Sequence, residues 1–234
     1  MWSPGRSPTL DWACDEWTLH EGFQTPSHRS TPPAVNLDTS PPRLACTMTS
    51  TSPTNPDLAS PHLWQEAVSF AARAHRHQIR KDGRTPYFAH PVRVAFTVRV
   101  AFGCEDPVAL LAALLHDTIE DTTTDYDDIA DRFGAEVATC VATLTKNMAL
   151  SEDPREAAYD AQLAAGPWQA RLVKLADQYD NLSDVPTMPE EKRHEHIHKT
   201  MDRCRRALAM VAKERQTNPI IGRAAAALEG SMKG

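Results

Sequence analysis

The sequence has few cysteines, and none is spaced to work with another. Cys14, Cys46, Cys104, Cys140 and Cys204 are scattered, odd in number and form no CxxC pair. That excludes a disulfide framework and a thiolate zinc site, and it fits a reducing, cytoplasmic compartment. No apolar run approaches the roughly eighteen residues of a membrane span, so no membrane partner is expected. Positive charge is not in excess: 25 basic residues face 31 acidic ones, for a net charge of −6. This argues against nucleic acid as a partner, and an anionic small substrate would need a local basic cluster. No stretch alternates apolar and polar residues between turn signals, so the folded part reads as all-α.

The two ends of the chain differ in kind. Residues 1–59 are rich in Pro, Ser and Thr, as in Ser30-Thr31-Pro32-Pro33 and Ser40-Pro41-Pro42, and carry no period. They read as a disordered extension, and they lack the basic start and apolar core of a secretory signal. For Trp2, Trp12 and Trp17 two readings stand: a short partner-binding motif, or translation that begins at Met48. Residues 60–234 are expected to form one domain around one core. Ser60-Pro61 opens a first helix to about Gln78, with Leu63, Ala67, Phe70, Ala71 and Ala74 on one stripe. His75 and His77 near its end read as surface or packing histidines. His90-Pro91 opens a second helix reaching Phe102 before Gly103, with His90 at the N-cap. Asp106-Pro107 opens a third, and further helices follow after Thr124, at 135–146, from Asp153-Pro154, at 167–182, at 189–214 and at 219–230.

The third helix is the informative one. Val108, Leu110, Leu111, Ala112, Leu114 and Leu115 make it apolar nearly all round, and it then runs into His116-Asp117-Thr118-Ile119-Glu120-Asp121. A buried helix should not carry four ionisable residues in six positions unless something pairs them. Continued as a helix, it stacks His116 over Glu120 and Asp117 over Asp121. A divalent cation held by His116 and Asp117 would balance the charge and leave Glu120 and Asp121 for proton transfer or water positioning. The alternative is a solvated helix end.

Asp177 poses the same problem inside Leu172-Val173-Lys174-Leu175-Ala176. It is either paired internally with Lys174 or a further metal ligand, and Lys174, Asp177, Asn181 and Asp184 share a face. His90, His116, Asp117 and Asp177 together offer two imidazoles and two carboxylates, a donor set suited to manganese, iron or zinc. The turn Arg80-Lys81-Asp82-Gly83-Arg84-Thr85-Pro86-Tyr87 is basic. It is a solvated loop or a phosphate-binding one, Arg80 offering a forked donor and Lys81 a compact charge. His194, His196 and His198 are expected on an exposed face, among Glu191, Lys192, Arg193 and Glu195.

Seven stretches, Phe70–Gln78, Arg80–Gly83, Thr85–Pro91, Ala112–Thr122, Phe133-Gly134, Leu144–Lys146 and Val173–Asp177 with Asn181-Leu182, occur in an order and spacing that resemble the HD-domain metal-dependent phosphohydrolases. More narrowly the chain is similar to the small, hydrolase-only alarmone hydrolases of the RelA/SpoT superfamily. The resemblance implies an HD-type helical bundle and one Mn²⁺ held by His90, His116, Asp117 and Asp177. It implies a water oriented or deprotonated by Glu120 and Asp121, and contacts to an anionic nucleotide by Arg80, Lys81, Asn181 and, less centrally, Lys146. The implied reaction is removal of pyrophosphate from the 3′ position of ppGpp or pppGpp. Competing readings are an HD phosphohydrolase acting on another nucleotide such as NADPH, and a catalytically silent alarmone-binding module, against which Glu120 and Asp121 argue. Two departures, His77 in place of a small residue and Ser183 in place of a basic one, are expected to alter the pocket. No firm match is visible beyond about 190, and a synthetase domain is not expected.

Overall fold

The computed structural model describes residues 57–233, and the expected disorder of 1–59 therefore falls, up to residue 56, outside the described residues. The described part is all-α, as the patterning requires. Its segments are α1 Pro61–Ala74, α2 Ala89–Phe96, α3 Pro107–Leu115, α4 Thr118–Asp121, α5 Tyr126–Phe133, α6 Ala135–Leu144, α7 Glu152–Ala165, α8 Trp168–Asp184, α9 Glu190–Met210 and α10 Pro219–Ser231. Among the described residues the extended structure is one isolated bridge, Ile79 to Pro86. No helix is long and apolar enough to cross a membrane.

Local chemistry sets the helix ends. Pro lies in the first turn of α1, α3 and α10, where its missing N–H has no intrahelical partner to lose. Asp106 caps α3 by accepting from Ala109 N–H at 2.8 Å, and Asp125 and Asp128 form a reciprocal capping box on α5. Gly134, at φ 89°, makes the turn between α5 and α6 that a side chain would resist. The second helix is shorter than expected, since after Phe96 the backbone relaxes into a π-helical turn over Thr97–Ala101.

Every residue of α3 from Val108 to Leu115 is buried, and the helix packs against α1, α2, α6 and α8. Each fully buried Leu there contributes about 1.5–3 kcal/mol. The sequence pattern predicts one helix running through the acidic cluster, and the structure corrects that. Helix α3 stops at Leu115, His116 and Asp117 form a turn, and α4 restarts at Thr118. The side chains supply the reason. His116 Nδ1 lies 2.9 Å from the Ala113 carbonyl, and Thr118 Oγ1 donates to the Leu115 carbonyl at 2.7 Å, so side chains take carbonyls near the end of α3.

Candidate metal centre and active site

Three elements deliver the cluster: the first turn of α2 brings His90, the α3–α4 turn brings His116 and Asp117, and the middle of α8 brings Asp177. His90 lies inside α2 rather than at its N-cap. His90, His116 and Asp177 each place a ligand atom within 4.8 Å of the others. Asp117 Oδ2 lies 3.5 Å from His90 Nε2 and 3.1 Å from His116 Nε2.

Both imidazoles are held by their far nitrogens. His90 Nδ1 is 2.6 Å from Asp180 Oδ2, and Asp180 is gripped in turn by Arg93 through Nε at 2.6 Å and NH2 at 2.8 Å. His116 Nδ1 faces the Ala113 carbonyl, so its Nε2 is the bare nitrogen, buried with no hydrogen-bond partner. This is how proteins orient histidines toward a metal. Burial lowers the His116 pKa, but Asp117 and Asp177 outweigh it and raise the ring to about 9. Conversely, burial opposes ionisation of Asp117 and Asp177, and the neighbouring cationic groups hold both well below the usual carboxylate range. The cluster thus demands positive charge at its centre, and an HD-type donor set with an orphaned Nε2 fits a divalent cation.

Asp177 pairs with Lys174, as one reading of its sequence context expects, and keeps its other oxygen toward the cluster. Its Oδ2 accepts from Lys174 at 2.9 Å and Gln178 at 2.8 Å, while Oδ1 lies 3.3 Å from His90 Nε2 and accepts from Asn181. One carboxylate oxygen is neutralised internally and the other faces the histidines.

All ten candidate residues line one pocket of about 340 Å³, within the range of roughly 300–1,000 Å³ that takes a small molecule. Glu120 Oε2 accepts the Lys146 backbone N–H at 2.9 Å, and burial raises its pKa. Burial, then Asp117, raises Asp121 likewise. Arg80 is more deeply engaged than a substrate contact needs: it is 8% exposed, its Nε donates to Asp184 at 2.8 Å and its NH2 to Asn181 at 3.0 Å. Lys146 Nζ is 2.6 Å from Glu156. The basic turn is internally hydrogen-bonded: the Ile79–Pro86 bridge closes it and Asp82 accepts from the N–H groups of Arg84 and Thr85 inside it.

Sequence reasoning missed several contributors. The Tyr87 hydroxyl lies 2.7 Å from Asp117 Oδ2 and 3.0 Å from Asp121 Oδ2, and burial followed by Asp117 pushes its pKa up, so it stays a hydroxyl. Asp180 and Arg93 each sit one helical turn beyond a ligand, and that spacing was the available signal. Two expectations are corrected. His77 and Ser183 do not line the pocket: His77 accepts from Arg76 beside a neighbouring groove, and Ser183 donates to the Tyr179 carbonyl. His194 and His198 are exposed, but His196 is partly buried against Lys81, because α9 packs on α8 and brings that face back toward the basic turn.

Comparison with known proteins gives a consistent picture. An HD domain family model matches residues 67–203. The human protein called guanosine-3′,5′-bis(diphosphate) 3′-pyrophosphohydrolase MESH1 is 43% identical over 132 residues, covering 56% of this chain and 74% of its own. The Drosophila melanogaster protein of the same name is 37% identical over 123 residues, covering 52% and 69%. A solved structure described as a metazoan orthologue of SpoT that hydrolyzes ppGpp superimposes with a TM-score of 0.62 at 28% identity, over 73% of this chain and 94% of that one. The matched span holds every candidate residue: the chain belongs to the HD domain family.

Proposed function

We propose that this chain hydrolyses ppGpp or pppGpp at the 3′ position, releasing pyrophosphate, and that residues 60–234 carry the activity in the cytoplasm. The observation that carries this reading is the pocket itself, where the bare His116 Nε2 and the ionised carboxylates stand beside two carboxyl groups of raised pKa and a basic turn. The names of the relatives point to the same substrate. His90, His116, Asp117 and Asp177 hold the cation, which this reading takes as Mn²⁺ on the mixed N/O donor set. When bound, the cation lowers the pKa of water and shields the anionic phosphorus centre.

The chain's own groups do the rest. Glu120, aimed by the Lys146 N–H, accepts the proton of the attacking water, and a raised pKa suits a base working near neutrality. Asp121, steadied by the Tyr87 hydroxyl, orients that water. Asp180 fixes the His90 ring through Nδ1. Lys81 meets phosphate oxygens. Arg80 and Asn181, which hold each other at 3.0 Å, present a preformed polar edge to the nucleotide, and Lys146 lines the same pocket.

The test is a substrate panel. Purified protein with Mn²⁺ is given ppGpp, NADPH and ordinary nucleotides, and kcat/KM is compared. The reading expects ppGpp to lead with pyrophosphate as product; a lead by NADPH with phosphate as product would replace it.

A further inference from the structure

Helix α9 carries His194-Glu195-His196-Ile197-His198 near its start, and the helix divides the three rings between two faces. His196 turns inward, its Nε2 3.0 Å from Lys81 Nζ. His194 and His198, four positions apart, project together from the exposed side. Their ring centroids lie 4.9 Å apart with the planes at 81°, and among the described residues no hydrogen bond or ion pair engages either ring. The cations beside them are already held: Lys199 Nζ is 2.6 Å from Glu195, Arg205 is 2.6 Å from Asp202, and Arg193 donates to the Met188 carbonyl at 3.0 Å. Glu190 and Glu191, one turn before His194, place negative charge at that end of the pair. The five residues also read H-E-x-x-H, the helical spacing at which two histidines close on one zinc ion.

We propose that His194 and His198 form a second metal site, a two-histidine surface chelate for a divalent transition ion of the zinc, nickel and copper class, separate from the metal centre of the pocket. Once one imidazole binds, the second meets the ion at high effective concentration, because the helix holds both. Water fills the remaining coordination positions. Glu195 is committed to Lys199 on an exposed face, so the pattern supplies metal ligands here and not the general base of a protease. The donors set the preference. The pocket offers carboxylates beside its histidines, whereas this pair is imidazole alone, which suits zinc, copper and nickel and binds Mn²⁺ most weakly. The site is independent of the reaction proposed for the pocket.

The test uses the untagged, Mn²⁺-loaded full chain and Ni²⁺ held on a chelating resin. An ion fixed to a resin does not reach His90 or His116, which are 1% and 3% exposed, so retention reports surface histidines. Wild type should be retained and released by imidazole. His194→Gln and His198→Gln should each lose retention, while His62→Gln, at another exposed histidine, should behave as wild type. His194→Gln combined with Asp202→His rebuilds the four-residue spacing one turn along, with His198, and should be retained again. In solution, His198→Gln should weaken Ni²⁺ binding at this site by about a hundredfold or more, the loss of the second intramolecular contact. Retention of Mn²⁺ in the pocket and hydrolysis of ppGpp should match wild type in both single variants. Wild type that passes through the resin, retention unchanged by either single variant, or no recovery in the rebuilt pair overturns the chelate. Loss of pocket Mn²⁺ in His194→Gln or His198→Gln overturns its separateness from the metal centre.

Discussion

At the scale of the residue, labour is divided within a few ångströms. Glu120 is set apart from the candidate ligands, since its contact is the Lys146 N–H rather than an imidazole. Glu120→Gln keeps size and removes proton acceptance, so turnover should fall by about a hundred- to ten-thousandfold while metal content stays near that of wild type. Asp121→Asn should follow with a smaller loss. Metal analysis beside steady-state kinetics checks both, and loss of metal in Glu120→Gln would place it among the ligands. The same group sets a pH dependence. A base works ionised, and burial raises the pKa of Glu120. Activity is therefore full above that raised pKa and lost as pH falls through it, with an acid limb above the ordinary glutamate value of about 4.3. A pH–rate profile whose acid limb lies at or below that value would contradict this. Asp180 makes a different prediction, because it touches the His90 ring and not the pocket. Asp180→Asn should weaken metal affinity by about ten- to a hundredfold and be compensated by excess metal, read from a metal titration of activity and of thermal stability.

At the scale of the element, α3 and the turn after it decide where the site sits. The apolar run and its Asp106-Pro107 start were legible in the sequence because cap and core are local signals. The break at Leu115 was not, because it depends on the His116 ring and the Thr118 hydroxyl reaching α3 carbonyls, a competition that residue spacing does not reveal. Asp106→Ala should cost about 1 kcal/mol of stability by losing the Ala109 contact, a drop of about 2–4 °C in Tm for a domain of this size. Metal stoichiometry should be unchanged, since the cap is at the opposite end of α3 from His116. Thermal melts with metal analysis check this; a normal Tm would mean the cap contributes nothing.

At the scale of the molecule, an acidic chain of net charge −6 gathers five cationic side chains, Arg80, Lys81, Lys146, Lys174 and Arg203, in the wall of one pocket. His116 and Asp117, at the end of one apolar run, and Asp177, inside another, stood out in the sequence as candidates because a charge is out of place there. The supporting partners did not. Asp184 lies 104 positions from Arg80, Asp180 lies 90 from His90, and His196 lies 115 from Lys81, and only the folded packing of α8 and α9 brings them together. The central claim joins the cluster, the cation and the nucleotide in one reaction. The direct measurement is a mass balance on ppGpp with purified full-length protein, first as isolated, then after chelation, then after Mn²⁺ is restored. The account predicts equimolar GDP and pyrophosphate, abolished by chelation, restored by Mn²⁺, and not restored in Asp177→Ala. Hydrolysis that survives chelation, or that returns with Mn²⁺ in Asp177→Ala as in wild type, would contradict it.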